Sequence, residues 1–250
     1  MEYNVIHYEE IDSTNTEARR LSKSGAEHGL VIVAEKQTAG KGRRGRNWES
    51  PAGRNLYFSI LLRPELKPKK APMLTIVMAY SVAKVLHEQE SLPVQIKWPN
   101  DLVLFKKKVC GILTEMNMNG CQVEDVIVGV GINVNTEGFP QELHDKATSL
   151  YLEKGVQIER KELLQKVLNE FQKQYMLFLE VQELSFLQES YNRMLINRNQ
   201  EVLVLAPEGE YRADALGINE LGELSVRKTD GSVENIFAGE VSVRGLYGYV

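Results

Sequence analysis

The amino-acid sequence predicts an α+β fold, in which a larger part made of strands and helices is followed by a small β-barrel. Three observations support this prediction. Up to about residue 196, short runs rich in β-branched and aromatic residues alternate with segments of helical periodicity. From residue 197 onward, short alternating runs are separated by glycine-containing turns, and no helical period remains. The chain has 250 residues, which suits one large domain or a large domain with a small one.

Short apolar runs mark the strands of the larger part. Their β-branched and aromatic side chains suit a pleated, half-buried surface. Strands are predicted over residues 30–34, 56–62 and 126–132, and a hairpin with a basic tip over residues 102–105 and 109–116. The run at residues 126–132 is predicted to be a buried central strand, because all of its residues are apolar or glycine.

Four segments show helical periodicity, at residues 14–23, 71–90, 160–179 and 183–194. In the third segment the apolar residues keep to one face, which predicts that this face is buried. Thr14 and Glu17 have the spacing of a capping box, which predicts that their side chains cap the first helix. Because the pattern changes near Asn197, we expect domains over residues 1–196 and 197–250, packed together without a flexible linker.

Composition and charge limit the class of protein. Thirty basic and 34 acidic residues give a formal net charge of −4, and residues 197–250 carry nine acids against five bases. This balance argues against a general nucleic-acid binder. Two cysteines, Cys110 and Cys121, are too few for a disulfide framework and favour a reducing compartment. The sequence shows neither a signal peptide nor an apolar run of membrane-spanning length, so we expect a cytoplasmic protein without membrane contact.

The most unusual segment, residues 36–46, combines five cations with three glycines and contains no acid. Glycines let backbone amides approach a ligand closely, and guanidinium groups pair with phosphate or carboxylate oxygens. A solvated basic loop is the alternative interpretation. The spacing of Gly40, Gly42 and Gly45 matches a dinucleotide-binding fingerprint, but the residues that follow do not open a helix. We therefore predict an anion-binding loop of another kind.

Two further clusters place polar side chains beside apolar segments. Lys97, Asn100 and Asp101 crowd beside the predicted hairpin, which a turn at Pro99 explains only in part. Lys108, which opens the next strand, can point into a site. At the predicted start of the first helix, Ser13-Thr14-Asn15 offers hydroxyls and free N–H groups that suit a neutral polar ligand, although helix capping explains the residues equally well.

Negative findings narrow the class further. The four histidines are scattered and show no metal-ligand spacing, and no metal-binding residues are identified. The nucleophile elbow of serine hydrolases is absent from the sequence. After these exclusions, the sequence favours a site that binds an anion beside neutral polar groups and aromatic residues. That combination suits the activation of a carboxylate by a nucleotide, in which positioning and electrostatics supply the catalysis.

The chain resembles the biotin–protein ligase family in five motifs, which follow the family's order and spacing. The motifs are Asp12-Ser13-Thr14-Asn15, residues 37–46, Lys97-Trp98-Pro99-Asn100-Asp101, Lys108-Val109-Cys110-Gly111-Ile112-Leu113 and Gly129-Val130-Gly131-Ile132-Asn133. The resemblance implies a mixed-sheet biotin/lipoate ligase catalytic domain with helices and an SH3-like C-terminal barrel. One departure is Lys41, where the family usually has Arg. Since only eleven residues precede Asp12, the chain resembles the monofunctional form without an N-terminal DNA-binding domain, and no DNA partner is expected.

The resemblance also implies a reaction, that of a biotin–[acetyl-CoA-carboxylase] ligase. Biotin and ATP, with Mg²⁺, would form biotinyl-5′-AMP, and a lysine of a biotin carboxyl carrier domain would then take the biotinyl group. Lys108, Arg43 and Asp101 are the candidates for catalysis. The biotin-binding candidates are Ser13, Thr14, Asn15, Gln37, Gly40, Lys41, Gly42, Arg43, Lys108 and Gly111. The candidates for binding ATP and the adenylate are Arg43, Arg46, Trp48, Asn100, Lys108 and Asn133.

Two alternative functions stay open. The oligomeric state, monomer or homodimer, stays open as well. A lipoate–protein ligase has related architecture and chemistry, but the basic glycine loop is more similar to the biotin version. A nucleic-acid-binding module that uses the Arg-Gly loop is the non-enzymatic alternative, and the overall acidity counts against it.

Overall fold

A mixed sheet of seven strands forms the centre of the larger part of the chain. The computed structural model describes residues 2–206, 209–238 and 242–245, the last four by their backbone alone. The seven strands are β1 (Asn4–Ile11), β2 (Leu30–Gln37), β3 (Leu56–Leu62), β4 (Gln95–Lys97), β5 (Asp101–Leu104), β6 (Lys107–Asn119) and β7 (Gln122–Ile132). Their order in the sheet is β1-β2-β3-β7-β6-β5-β4. Strands β1 and β2 are parallel, and the other neighbouring pairs are antiparallel.

Helices cover both faces of this sheet. They are α1 (Thr14–Lys23), α2 (Met73–Glu88), α3 (Leu150–Lys154), α4 (Arg160–Val181) and α5 (Ser185–Met194). Along β2, Val31 and Val33 belong to the large core with α2 and α4, whereas Leu30 and Ile32 pack with Ala18 of α1. Because alternate side chains of a strand point to opposite faces, α1 covers one face and the long helices cover the other. Burial on both faces explains why β3, residues 30–34 of β2 and residues 126–132 of β7 are nearly continuous apolar runs.

The predicted helices and strands of the larger part are confirmed, with ends that shift by a few residues. Two of these strands and helices were not predicted: β1 and the short helix α3. Strand β1 lies at the edge of the sheet, and its sequence NVIHYEEI leaves most of its residues exposed or half-buried. Its apolar pattern is therefore weak. The strand forms because its backbone pairs with β2, and no local sequence pattern predicts this pairing.

The predicted capping box at α1 is wrong. Ser13 is the N-cap residue, and it makes no side-chain cap hydrogen bond. The backbone N–H of Thr14 donates to Oε1 of Gln37 at 2.8 Å, and the Thr14 hydroxyl lies 3.2 Å from the same oxygen. Glu17 instead pairs with Arg20 at 2.9 Å. Gln37 of β2, which is distant in sequence, thus accepts from the Thr14 backbone N–H, the group that Glu17 would bind in a capping box.

The C-terminal part forms a five-stranded antiparallel sheet, consistent with the predicted SH3-like barrel. Its strands are β8 (Gln200–Ala206), β9 (Gly209–Ile218), β10 (Leu224–Lys228), β11 (Val233–Ile236) and β12 (Ser242–Gly245), in the order β11-β10-β9-β8-β12. The predicted turns at residues 219–222 and 230–231 are present, whereas the one at residues 207–209 lies partly outside the described residues. The division into domains at residues 196 and 197 stays a prediction.

Specific contacts hold the C-terminal sheet against the larger part. The Trp98 indole N–H donates to the carbonyl of Gly222 at 3.0 Å. The side chain of Asn192 pairs with both backbone groups of Ile218, accepting from the N–H at 2.7 Å and donating to the carbonyl at 3.2 Å.

Among the helices that the structure describes, none combines the length and apolarity needed to cross a bilayer.

A buried carboxylate connects the end of α2 to α3 and α4. Glu90 is 7% exposed and accepts hydrogen bonds from Lys154 at 2.7 Å and Lys166 at 2.8 Å. Burial raises the pKa of Glu90, but the hydrogen bonds and charges of the two lysines outweigh burial, so the pKa lies below its usual value of 4.5.

Replacing Glu90 by glutamine is expected to lower the free energy of unfolding by about 1–3 kcal/mol at neutral pH. Because the folded-state pKa is lowered, this contribution is fully present above the unfolded pKa, near 4.5, and is lost as the pH falls through the folded pKa. Chemical denaturation at pH 7 and at pH 3.5 checks this. Glu189→Gln, at an exposed carboxylate, is the control and should have little effect at either pH. A loss from Glu90→Gln that is equal at both pH values would contradict the prediction.

Candidate active site

One cavity lies where the start of α1, the end of β2 and the basic glycine loop meet the middle of β6 and β7. Eleven of the fifteen residues predicted for the site line it. They are Ser13, Thr14, Asn15, Gln37, Lys41, Gly42, Arg43, Trp48, Asn100, Lys108 and Gly111. Ten of these residues come from four of the five sequence motifs, and Trp48 follows the basic glycine loop. Gly129, Val130 and Gly131 of the fifth motif also line the cavity, so the fold brings residues of all five motifs together.

One end of the cavity is built from neutral hydrogen-bonding groups. Ser13 and Thr14 are almost fully buried at the start of α1. The side chain of Gln37 is fixed at both ends, because its Oε1 accepts from Thr14 and its Nε2 donates to the Ser50 hydroxyl at 2.8 Å. The Ser50 hydroxyl in turn donates to the carbonyl of Trp48 at 3.1 Å. This end therefore suits a ligand group that is polar and uncharged.

Lys108 supplies a cation to the same cavity. Its Nζ lies 2.7 Å from Oδ1 of Asp101 and 5.1 Å from the centre of the Trp48 ring. Asp101 does not line the cavity, but its carboxylate also accepts from the Asn100 amide at 3.0 Å. The ion pair and the contact with the indole hold the ammonium group beside Gly111.

Arg43 is the second cation of the cavity, and it connects the glycine loop to two other parts of the fold. Its Nη1 donates to Oδ1 of Asn100 at 2.8 Å, and its Nη2 donates to the carbonyl of Ala238 in the C-terminal part. Burial lowers the pKa of Arg43, and the nearby carboxylate of Asp101 partly offsets this. The guanidinium remains charged at any physiological pH.

Trp48 covers a pair of glycines in the floor of the cavity. Gly111 of β6 and Gly131 of β7 face each other in the sheet. A Cβ on Gly111 would lie 2.8 Å from the indole, and one on Gly131 would lie 2.6 Å from it. Both positions therefore need glycine for the ring to lie so close to the backbone. The indole N–H is buried and has no hydrogen-bond partner among the described residues.

The basic glycine loop forms a closed turn. Lys41 and Asn47 make an isolated antiparallel bridge, and the N–H of Gly42 donates to the carbonyl of Arg46 at 2.7 Å. Arg44 and Gly45 have positive φ angles, of 57° and 70°. A turn of this kind does not lead into a helix, in agreement with the exclusion of a dinucleotide-binding fingerprint.

Four predicted residues do not line the cavity. Gly40 packs behind the loop, where a Cβ would lie 2.4 Å from the carbonyl oxygen of Trp48. Arg46 is exposed, and Asp101 reaches the site through Lys108. Asn133 follows β7 and is buried, and its amide donates to the carbonyl of Thr148 at 3.0 Å. The binding and catalytic roles expected of these four residues stay predictions.

Sequence reasoning missed the apolar floor and the second layer of the site. The floor includes Ile112, Leu113 and Val130, whose place follows from the pairing of β6 with β7. Ser59 and Glu115 lie behind the cavity and bind residues that line it. No local signal marks these two residues, because their partners are 44 and 100 positions away in the sequence.

Comparisons with known proteins agree with one another. The sequence profile of the "Biotin/lipoate A/B protein ligase family" matches residues 8–133. The "Bifunctional ligase/repressor BirA" of Bacillus subtilis is 36% identical over 247 residues, which are 97% of this chain and 75% of that protein. The "Biotin--[acetyl-CoA-carboxylase] ligase" of Paracoccus denitrificans is 40% identical over 125 residues, 49% of this chain and 51% of that protein.

A solved structure shows the same fold over nearly the full length of both chains. It is the biotin protein ligase from Aquifex aeolicus in complex with biotin and ATP. The TM-score is 0.84 at 35% sequence identity, and the similarity covers 97% of this chain and 99% of that one.

Proposed function

This chain belongs to the biotin/lipoate A/B protein ligase family, and we propose that it attaches biotin to a lysine of a biotin carboxyl carrier domain in two steps that consume ATP. The observation that carries the proposal is that buried neutral hydrogen-bonding groups and the cations Lys41, Arg43 and Lys108 line one cavity. Biotin has the matching shape, with an uncharged ureido ring at one end and a carboxylate at the other. Its ring would bind near Thr14 and Gln37, and its carboxylate would point toward Lys108.

In the first step, the biotin carboxylate attacks the α-phosphorus of ATP, and pyrophosphate leaves. Two anions must approach each other, so a cation between them lowers the barrier. Lys108 meets this need, because Asp101 and Trp48 hold its ammonium group inside the cavity. Arg43 would bind the phosphate as a second cation. Mg²⁺ enters the proposal with ATP, since the phosphates are its usual ligands.

The neutral end of the cavity would select the substrate. Gln37 has a fixed orientation, and Ser13 and Thr14 are nearly excluded from water. A ligand without matching polar groups would leave these atoms unpaired, at a cost of about 1–3 kcal/mol for each. Lipoate has no ureido ring, so this end favours biotin over lipoate.

In the second step, the amine of an acceptor lysine loses a proton and attacks the biotinyl carbonyl of biotinyl-5′-AMP, which forms the amide bond and releases AMP. Asp101 is the candidate base, but its 2.7 Å contact with Lys108 favours a part in orienting that lysine. Trp48 and Asn100 are proposed to bind the adenylate, together with Arg46 and Asn133. A cytoplasmic location and the absence of DNA binding remain expectations.

Replacing Gly129 by alanine is expected to weaken biotin binding roughly tenfold or more. A Cβ on Gly129 would lie 2.0 Å from Oδ1 of Asn15, and Asn15 is held by several hydrogen bonds. The added methyl must therefore displace the start of α1. Isothermal titration with biotin measures the effect. Gly138→Ala, at a position where an added Cβ meets no atom within 4 Å and the backbone is not left-handed, is the control for an alanine in place of glycine. Equal affinity in the Gly129 variant would contradict this arrangement.

The proposal is tested by transfer to a carrier. The protein is incubated with ATP, Mg²⁺ and a biotin carboxyl carrier domain, with either biotin or lipoate, and the carrier is analysed by mass spectrometry. We expect the mass of one biotinyl group on a single lysine, and no lipoyl group. Transfer of lipoate in place of biotin would favour the alternative ligase. No transfer of either acid would overturn the proposal.

A further inference from the structure

Glu115 lies outside the cavity, on β6, and its carboxylate faces the first helix. One oxygen, Oε2, accepts from the Asn15 amide at 2.8 Å, and the other, Oε1, accepts from Nη2 of Arg19 at 3.0 Å. The side chain is 22% exposed. The mechanism outlined above does not use this residue.

The contact with Glu115 fixes which way the Asn15 amide points. Its nitrogen donates to Glu115 and to the carbonyl of Leu113, at 3.3 Å, so both of its hydrogens are used within the protein. Its oxygen lies 2.6 Å from the Ser59 hydroxyl. Because a carboxylate accepts hydrogen bonds and donates none, the reverse orientation would place two oxygens against each other. Asn15 therefore presents an acceptor to Ser59.

This orientation determines the direction of the next hydrogen bonds. The Ser59 hydroxyl is fully buried and has one hydrogen, which it must donate to the Asn15 oxygen, since that oxygen cannot donate. The Ser59 oxygen lies 2.7 Å from the Thr14 hydroxyl, so the hydrogen of that contact comes from Thr14. The other described acceptor near the Thr14 hydroxyl, Oε1 of Gln37, is farther away, at 3.2 Å, and already accepts the Thr14 backbone N–H. With Ser59 in this orientation the hydrogen of Thr14 therefore points to Ser59, away from the cavity, and the hydroxyl oxygen keeps a lone pair for a ligand in the cavity that Thr14 lines.

We infer that Glu115 is a positioning residue, which acts through Asn15 and Ser59 to present Thr14 to the ligand as a hydrogen-bond acceptor. A ligand that binds there must offer an N–H or O–H group. The inference rests on the proposed function, because the ureido ring of biotin carries two N–H groups. It adds a specificity determinant that lies one layer behind the cavity.

The inference predicts a change in substrate affinity without a change in turnover. Glu115→Leu and Ser59→Ala each interrupt the chain of hydrogen bonds at a different place. Each is expected to raise the KM for biotin roughly tenfold, as expected for one misdirected hydrogen bond, and to leave kcat within about twofold. Glu115→Gln keeps an acceptor for Asn15 and should retain most of the wild-type affinity. Pyrophosphate release at saturating ATP gives both constants.

Arg19→Leu is the matched control that separates positioning by Glu115 from a purely structural role of that residue. It removes the same ion pair but leaves the contact between Glu115 and Asn15 intact. We expect Arg19→Leu to change the KM for biotin less than about twofold, even if its melting temperature falls as much as that of Glu115→Leu. Ser59→Ala keeps the test valid if Glu115→Leu does not fold, because it acts on the same chain from the opposite side of Asn15.

A biotin analogue with a methylated ureido nitrogen tests the direction of the hydrogen bond. The wild-type protein should discriminate strongly against this analogue, and Glu115→Leu and Ser59→Ala should discriminate less. The inference is overturned if Arg19→Leu and Glu115→Leu raise the KM equally, or if discrimination is unchanged in both chain-breaking variants. A wild-type protein that releases no pyrophosphate with biotin would overturn the proposed function, and the inference with it.

Discussion

Replacement of Lys108 by alanine is expected to abolish formation of the adenylate while the protein stays folded. The ammonium group is held in the cavity by Asp101 at 2.7 Å and lies over the ring of Trp48. Removing one preorganised electrostatic group of this kind costs about 10²–10³ in kcat. The backbone of Lys108 would remain in β6, where its N–H and carbonyl pair with Lys146 and Thr148.

Lys107→Ala provides the control for this variant. Lys107 is the neighbouring residue on the same strand, and its Nζ donates to the exposed carbonyl of His144 instead of entering the cavity. Pyrophosphate release and melting temperature are measured for both variants. Activity lost in proportion to stability, or an equal loss of activity in the two variants, would show that Lys108 has only a structural role.

Replacement of Arg43 by glycine is expected to release the adenylate roughly 10–150-fold faster, as expected for the loss of one charge-assisted contact. Arg43 connects the glycine loop to Asn100 and to the carbonyl of Ala238, so it closes one side of the cavity. Adenylate that escapes reacts with any exposed lysine. The variant should therefore label bystander proteins that the wild-type protein leaves unlabelled.

The same variant tests whether residues 40–46 close over the ligand. We expect biotin with ATP to protect this loop from proteolytic cleavage, and the protection to be weaker in Arg43→Gly. Lys36→Ala, which removes an exposed cation bound to Glu10 at 2.8 Å, is the control and should release the adenylate at the wild-type rate. Cleavage that is equal with and without ligands, together with an unchanged release rate, would show that the loop does not act as a lid.

The central elements of the fold could be predicted because their local patterns and their tertiary environment agree. Strands β3 and β7 are buried on both faces, so their apolar runs are continuous and unmistakable. Helix α4 buries one face and shows the matching period. The capping box failed because two residues with the right spacing found other partners: Gln37 for Thr14 and Arg20 for Glu17.

Most of the cavity could be predicted because its polar residues lie in short motifs with unusual composition. The basic glycine loop is conspicuous in an acidic chain, and Lys108 stands out where a basic tip meets an apolar strand. The second layer could not be predicted in this way. Ser59 is a single hydroxyl within an apolar strand, and Glu115 resembles any half-exposed acid on a sheet. Their importance depends on the angle at which α1 crosses β3, β6 and β7, which the sequence does not state.

The central claim is that this cavity uses ATP to activate the carboxylate of biotin. It is tested most directly by the exchange of labelled pyrophosphate into ATP, measured without any carrier protein. The account predicts exchange that requires biotin, is not supported by lipoate and is lost in Lys108→Ala. Exchange that proceeds equally without biotin, or no exchange when biotin and ATP are both present, would contradict it.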